Sequence, residues 1–165
     1  MTSDFEAIFA ANEAYSQSFQ SSELSGKALQ GLAIVTCMDS RIDPLRIVGM
    51  KPGDVKILRN AGSRVTDDVL RTLVLATHLL NVSRILVMPH TDCRMARGTE
   101  DEVHAAMFEK SGIDTRSIEI RTVTDQRAAL ETDITRIRSY PLLPPEIAVA
   151  GAIYDVKTGK LERVV

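Results

Sequence analysis

The chain has 165 residues, 44% of them hydrophobic and 25% charged, which suits one domain, residues 1–165, with a substantial core. Its formal net charge is −2, with basic and acidic residues interspersed, so it offers no broad basic surface for nucleic acid. No apolar stretch approaches the roughly 20 residues of a membrane span, and the start, Met1 to Glu6, lacks the basic and apolar regions of a secretory signal, so a cytoplasmic protein is expected.

Phe5, Ile8, Phe9 and Tyr15 recur at helical spacing after a Ser3/Asp4 cap candidate, with Asn12 interrupting the stripe. Residues 1–25 therefore read as an amphipathic helical arm followed by a polar link, Ser16 to Ser25. Gly31 to Thr36 is a short, mostly apolar run, as expected of a buried parallel strand. Asp43 and Pro44 read as the cap and first residue of a short helix ending near Val48. Lys51 to Asp54 is a turn, and Val55 to Arg59 is the second strand.

Thr66-Asp67-Asp68 opens a helix, and Asn81 closes it. From Val69 to Leu80 it is apolar almost all round, which predicts burial on more than one side and hence a subunit interface. Arg84 to Met88 is the third strand, ending at Pro89. Thr99 to Glu102 has the form of a capping box and opens the next helix. Ile118 to Thr122 reads as a short strand, and Leu130, Ile134 and Ile137 mark a helix capped by Thr124. Ile147 to Asp155 and Lys160 to Val165 flank a turn and form a hairpin. The predicted fold is three-layer α/β: a mostly parallel sheet of four strands in the order 2-1-3-4, a C-terminal fifth strand, helices on both faces and an N-terminal helical arm. In that order the loops after the first and third strands flank the switch point, where α/β sheets carry their chemistry.

Three motifs end the first three strands. Cys37-Met38-Asp39-Ser40-Arg41 follows the first, Arg59-Asn60-Ala61-Gly62 the second and His90-Thr91-Asp92-Cys93 the third. The chain's two cysteines sit in the first and last of these. Cys37, His90 and Cys93 make a three-ligand set for zinc, with a fourth position open to water; two thiolates favour zinc over magnesium or calcium. Asp39 and Arg41 follow Cys37 at alternate positions and can line the same wall, with the guanidinium keeping the carboxylate ionised. Asp39 then either orients a metal-bound water from Arg41 or swings onto the metal and closes the site. Asn60, Ala61 and Gly62 leave space for a small substrate beside it. Each motif alone has a plain reading: buried free thiols or a disulfide, a structural ion pair, an ordinary turn. His78 reads as a packed or capped histidine and His104 as a helix-surface residue.

Taken together, Cys-x-Asp-x-Arg, Arg-Asn-Ala-Gly and, about fifty residues after Arg41, His-x-x-Cys resemble the β-class carbonic anhydrases, in particular the compact bacterial and archaeal ones. The resemblance runs from about Gly31 to Arg97. It implies zinc, one ion per subunit, on Cys37, His90 and Cys93, with Asp39 and Arg41 as the catalytic dyad. It implies reversible hydration of carbon dioxide to bicarbonate and a proton by zinc-bound hydroxide. It also implies a homodimer, or a tetramer built from it, with the N-terminal arm embracing the neighbour; the charge and hydropathy read above argue against a nucleic-acid or membrane partner. Two other functions share these motifs: zinc-dependent hydrolysis of carbon disulfide or carbonyl sulfide, and a non-catalytic zinc- or bicarbonate-responsive binding protein. One departure is Arg94, where many family members have Gly; its cation pairs with Asp92, pairs with another carboxylate, or faces solvent.

Overall fold

β1 (Leu32–Cys37) is buried along its whole length in the computed structural model, which describes residues 5–165. Its burial follows from its place in the sheet. β2 (Val55–Asn60) pairs with it on one side and β3 (Arg84–Met88) on the other, both parallel. β4 (Ala148–Tyr154) continues the sheet in parallel, and β5 (Leu161–Arg163) pairs antiparallel with β4. The order is β2-β1-β3-β4-β5, as the sequence predicts.

Alternate side chains of the central strands feed two cores. Ala33, Val35, Ile85 and Val87 pack with Val69, Leu70, Leu73 and Ala76 of α3 (Asp67–Leu79) and with Leu130, Ile134 and Ile137 of α5 (Gln126–Arg138). Leu32, Ile34, Leu86 and Met88 face the other way, toward Ile42, Ile47, Val48 and Met95. That second layer holds α2 (Pro44–Ile47), whose cap is the predicted Asp43. α3 starts on the predicted Thr66 cap, and Asn81 follows its end with a left-handed φ of 65°. The turn before β2 and the capping box of α4 (Glu100–Ser111) also form where expected.

Several local expectations fail, each for a physical reason. Residues 118–122 form no strand; the Ile120 and Arg121 amides donate to the Glu100 carboxylate instead of to a neighbouring strand. Asp125, not Thr124, caps α5, because its carboxylate accepts from the amides of both Arg127 and Ala128. His104 is buried, not on a helix surface, and its Nδ1 is 2.8 Å from the Thr115 hydroxyl. His78 is exposed but tied to the Leu142 carbonyl.

The N-terminal arm forms α1 (Glu6–Gln17), none of whose residues is buried. The Ser3/Asp4 cap lies outside the described residues. Phe9 is 70% exposed and Leu79 of α3 is 65% exposed, so this chain leaves both apolar faces uncovered.

The contact between β4 and α5 is close enough to test. A Cβ added at Gly151 would lie 2.4 Å from Ile134 Cδ1 and 3.0 Å from Leu130 Cγ. Gly151→Ala is expected to cost about 1–3 kcal/mol in urea unfolding. Ile134→Val, which removes the nearer atom, should recover part of that loss in the double variant; a Gly151→Ala protein of unchanged stability contradicts the packing.

Candidate functional site

Three strand ends supply the donors. β1 ends on Cys37 itself, one residue further into the ladder than the sequence suggests, opposite Asn60 of β2. β3 ends on Met88, whose carbonyl accepts from the hydroxyls of Thr36 and Ser63. The chain then turns through Pro89 to His90, which bridges to Tyr154 of β4. The Gln126 amide donates to the His90 carbonyl at 2.6 Å, and the Thr91 amide donates to Tyr154. His90 is thus held from β4 and α5 together.

The result is a cluster of Cys37, His90 and Cys93, all buried, with the three ligand atoms within 4.8 Å of one another. Among the described residues it is the one group of three or more such side chains so arranged. Both cysteines are free, with Sγ atoms 4.0 Å apart. A tetrahedral ion about 2.3 Å from each sulfur would set them about 3.8 Å apart. His90 Nδ1 lies 2.8 Å from the Thr91 carbonyl, which only accepts, so Nδ1 carries the proton and Nε2 carries the free lone pair. Nε2 is fully buried and has no hydrogen-bond partner. An orphaned imidazole nitrogen beside two thiol sulfurs is the donor set of a zinc ion.

The two thiols are shifted in opposite directions. The contact with the Cys93 sulfur, together with the nearby His90 and the Gly62 amide, 3.4 Å from Cys37 Sγ, holds Cys37 far below the usual thiol range against the opposing effect of burial. The same contact, with burial, pushes Cys93 up. Burial pulls His90 down, but the closeness and negative charge of Cys37 and the charge of Asp39 outweigh it, so His90 is raised.

Asp39 and Arg41 lie at the mouth. Arg41 donates from Nε and Nη2 to the two Asp39 oxygens at 2.9 and 2.8 Å, and its amide donates to Asp39 Oδ1 as well. Those bonds lower the Asp39 pKa, so its carboxylate is ionised through the neutral range. Asp39 Oδ2 is 3.9 Å from His90 Nε2. The carboxylate therefore rests on Arg41, not among the three donors. Arg59 fixes the loop beneath, donating to the Cys37 and Asp39 carbonyls at 2.9 and 2.7 Å.

Asn60, Ala61 and Gly62 divide their tasks. Asn60 does not line the hollow; its amide closes the turn by pairing with the Arg64 backbone, 2.6 Å to the carbonyl and 2.9 Å from the amide. Ala61 lines the open hollow of about 550 Å³ before the cluster, together with Met38, Met95, Asp92, Arg94 and Arg97. Gly62 has φ 80°, and a Cβ there would meet Met95 at 3.2 Å. That freedom lets its amide point at Cys37 Sγ. Arg94 faces solvent and donates to the Arg97 carbonyl. The cation that pairs with Asp92 is Arg97, with Arg41 on its other oxygen. Those two bonds, Arg97 first, lower Asp92 to about 2. Arg97, Asp92 and Gln126 were not marked by any spacing rule, because their partners lie 5, 51 and 36 residues away.

The family model for carbonic anhydrase matches residues 32–140. β-Carbonic anhydrase 1 of Mycobacterium tuberculosis is 38% identical over 134 residues, 81% of each chain. A crystal structure of carbonic anhydrase from Streptococcus mutans superposes with a TM-score of 0.92 at 38% identity, covering 100% of this chain and 99% of that one. A carbon disulfide hydrolase from Acidianus sp. is 31% identical over 156 residues, 80% of this chain and 76% of its own.

Purified protein is expected to carry about one zinc per chain. Cys37→Ser and His90→Ala should each lose it on dialysis, measured by plasma mass spectrometry; metal retained in both variants refutes the ligand set.

Proposed function

Because this chain belongs to the β-carbonic anhydrase family, we propose that it hydrates carbon dioxide reversibly to bicarbonate and a proton, with Cys37, His90 and Cys93 holding zinc and Asp39 and Arg41 as the catalytic pair. The observation that carries this reading is the buried three-donor cluster with an ionised carboxylate 3.9 Å from its histidine nitrogen. When bound, zinc supplies a water of strongly depressed pKa at the position its three protein ligands leave open.

The chain's own residues supply the rest. Asp39 accepts a hydrogen bond from the attacking water and aims its lone pair at the substrate. Arg41 keeps Asp39 charged and oriented, so the acceptor persists at every working pH. Ala61, Met38 and Met95 give the hollow an apolar wall suited to a small neutral molecule. The proton leaves through the open mouth to water or buffer.

A second reading is favoured by the likeness to carbon disulfide hydrolases: the same centre would hydrolyse that heterocumulene. The non-catalytic reading requires Asp39 to leave Arg41 for the metal, and three hydrogen bonds from Arg41 hold it away.

The assembly belongs to the same proposal. A homodimer, or a tetramer built from it, would cover the exposed aromatic face of α1 and Leu75 and Leu79 of α3. No described helix is long and apolar enough to cross a membrane. Two free, buried thiols suit the reducing cytoplasm, which is the proposed location.

Stopped-flow assays on zinc-loaded protein should show carbon dioxide hydration rising with pH from about 6 to 9 as the water ionises. Asp39→Asn should lower kcat/KM roughly 10- to 100-fold with zinc retained. Full zinc with no hydration at any pH would sink the assignment, and hydrogen sulfide release from carbon disulfide outpacing hydration would favour the second reading.

A further inference from the structure

Arg41 serves two carboxylates at once. Toward Asp39 it donates from Nε and Nη2; toward Asp92 it donates from Nη1 to Oδ2 at 2.9 Å and from Nη2 to the carbonyl at 3.1 Å. The other Asp92 oxygen, Oδ1, accepts from Arg97. Four charges of alternating sign, Asp39, Arg41, Asp92 and Arg97, thus run across the mouth from the loop after β1 to the loop after β3.

An isolated Asp39–Arg41 pair would be a weak clamp. Arg41 is 43% exposed, and an exposed ion pair shifts a conformational equilibrium about fivefold at most. Such a side chain has many rotamers to lose, and a partner two residues away on the same loop does not stop both from moving together. Asp92 comes from a different loop, pinned through His90 and Thr91 to β4 and α5. It holds the guanidinium from the side away from Asp39 and turns a local pair into a bridge between two fixed points.

We propose that Asp92 and Arg97 are positioning residues for the reaction: Asp92 fixes the Arg41 guanidinium against a second loop, Arg97 fixes Asp92, and Asp39 is thereby held facing the cluster. This rests on the catalytic reading of Asp39 and Arg41 given above.

The backbone makes the test clean. Asp92 has φ 55°, a left-handed conformation that Asp and Asn tolerate better than other side chains. Asp92→Asn therefore keeps the turn between His90 and Cys93. It puts an NH2 donor where one of the two side-chain oxygens accepted a guanidinium, so one of those two side-chain links is lost, while the bond from Arg41 to the Asp92 carbonyl does not depend on the substitution.

Zinc-quantified wild type, Asp92→Asn, Arg97→Ala, Arg97→Lys and the Asp92→Asn/Arg97→Ala double variant are compared by stopped-flow hydration, thermal melting and nitrogen-15 spectra of the arginine Nε–H groups. Asp92→Asn and Arg97→Ala should lower kcat about tenfold, with KM, zinc content and Tm unchanged. The double variant should fall no further than the worse single one, and Arg97→Lys should recover most of the loss. The Arg41 Nε–H signal, identified by its absence in Arg41→Lys, should be sharp in wild type and lost in Asp92→Asn. A kcat within twofold of wild type in both single variants overturns the proposal, as does a fall in kcat that only tracks lost zinc or lowered Tm. If zinc-loaded wild type does not hydrate carbon dioxide, the function above fails; the Arg41 signal then decides the brace separately, and its persistence in Asp92→Asn overturns it.

Discussion

The parallel pairing of β1 with β3, Leu32 opposite Arg84 through Thr36 opposite Met88, is the constraint from which the site follows. Parallel neighbours end at the same edge of the sheet, so the residues just past both strands meet there. Cys37 arrives on the last rung of β1, and Cys93 arrives after a turn from β3 that is bonded to β4 and α5. The donors are placed by backbone ladders before any ion is considered. A buried His90 Nε2 without a partner costs about 1–3 kcal/mol. The ladders hold it there regardless, and a bound cation would relieve that cost.

Around this centre the charges are sorted by softness and depth. Inside are two sulfurs and a nitrogen, and the contact between the sulfurs lowers Cys37 and raises Cys93. Outside, at the water's edge, are carboxylates and guanidiniums in alternation. Asp39 stands at the boundary. Its three bonds from Arg41 hold it on the outer side of that boundary. The neutral, apolar walls of Ala61 and the two methionines occupy the space between these zones.

The same economy explains what the chain leaves uncovered. α3 gives Val69, Leu70, Leu73 and Ala76 to the sheet, yet its other face still carries Leu75 and Leu79. α1 gives the core nothing. Exposed apolar stripes of this kind cost solubility in a lone chain.

Much of this was legible in the residues. Short apolar runs bounded by Gly and Pro located β1, β2 and β3; capping residues located α2, α3 and α4; alternating strand and helix implied the sheet order. These signals are local, acting within one turn or one strand, so composition and spacing carry them. Cys37, His90 and Cys93 were nameable for the same reason: few residue types bind a soft metal. Tertiary structure alone decided the rest. Residues 118–122 lost their strand to Glu100, and His104 went inside to meet Thr115, because distant partners outcompeted local propensity. Asn60 turned from the hollow to Arg64. Whether Asp39 lay on Arg41 or among the donors depended on where a guanidinium could reach, and that reach depends on Asp92, 51 residues beyond Arg41. A sequence states which charges exist; only the fold sets the distances between them, and electrostatic and hydrogen-bond energies depend on distance.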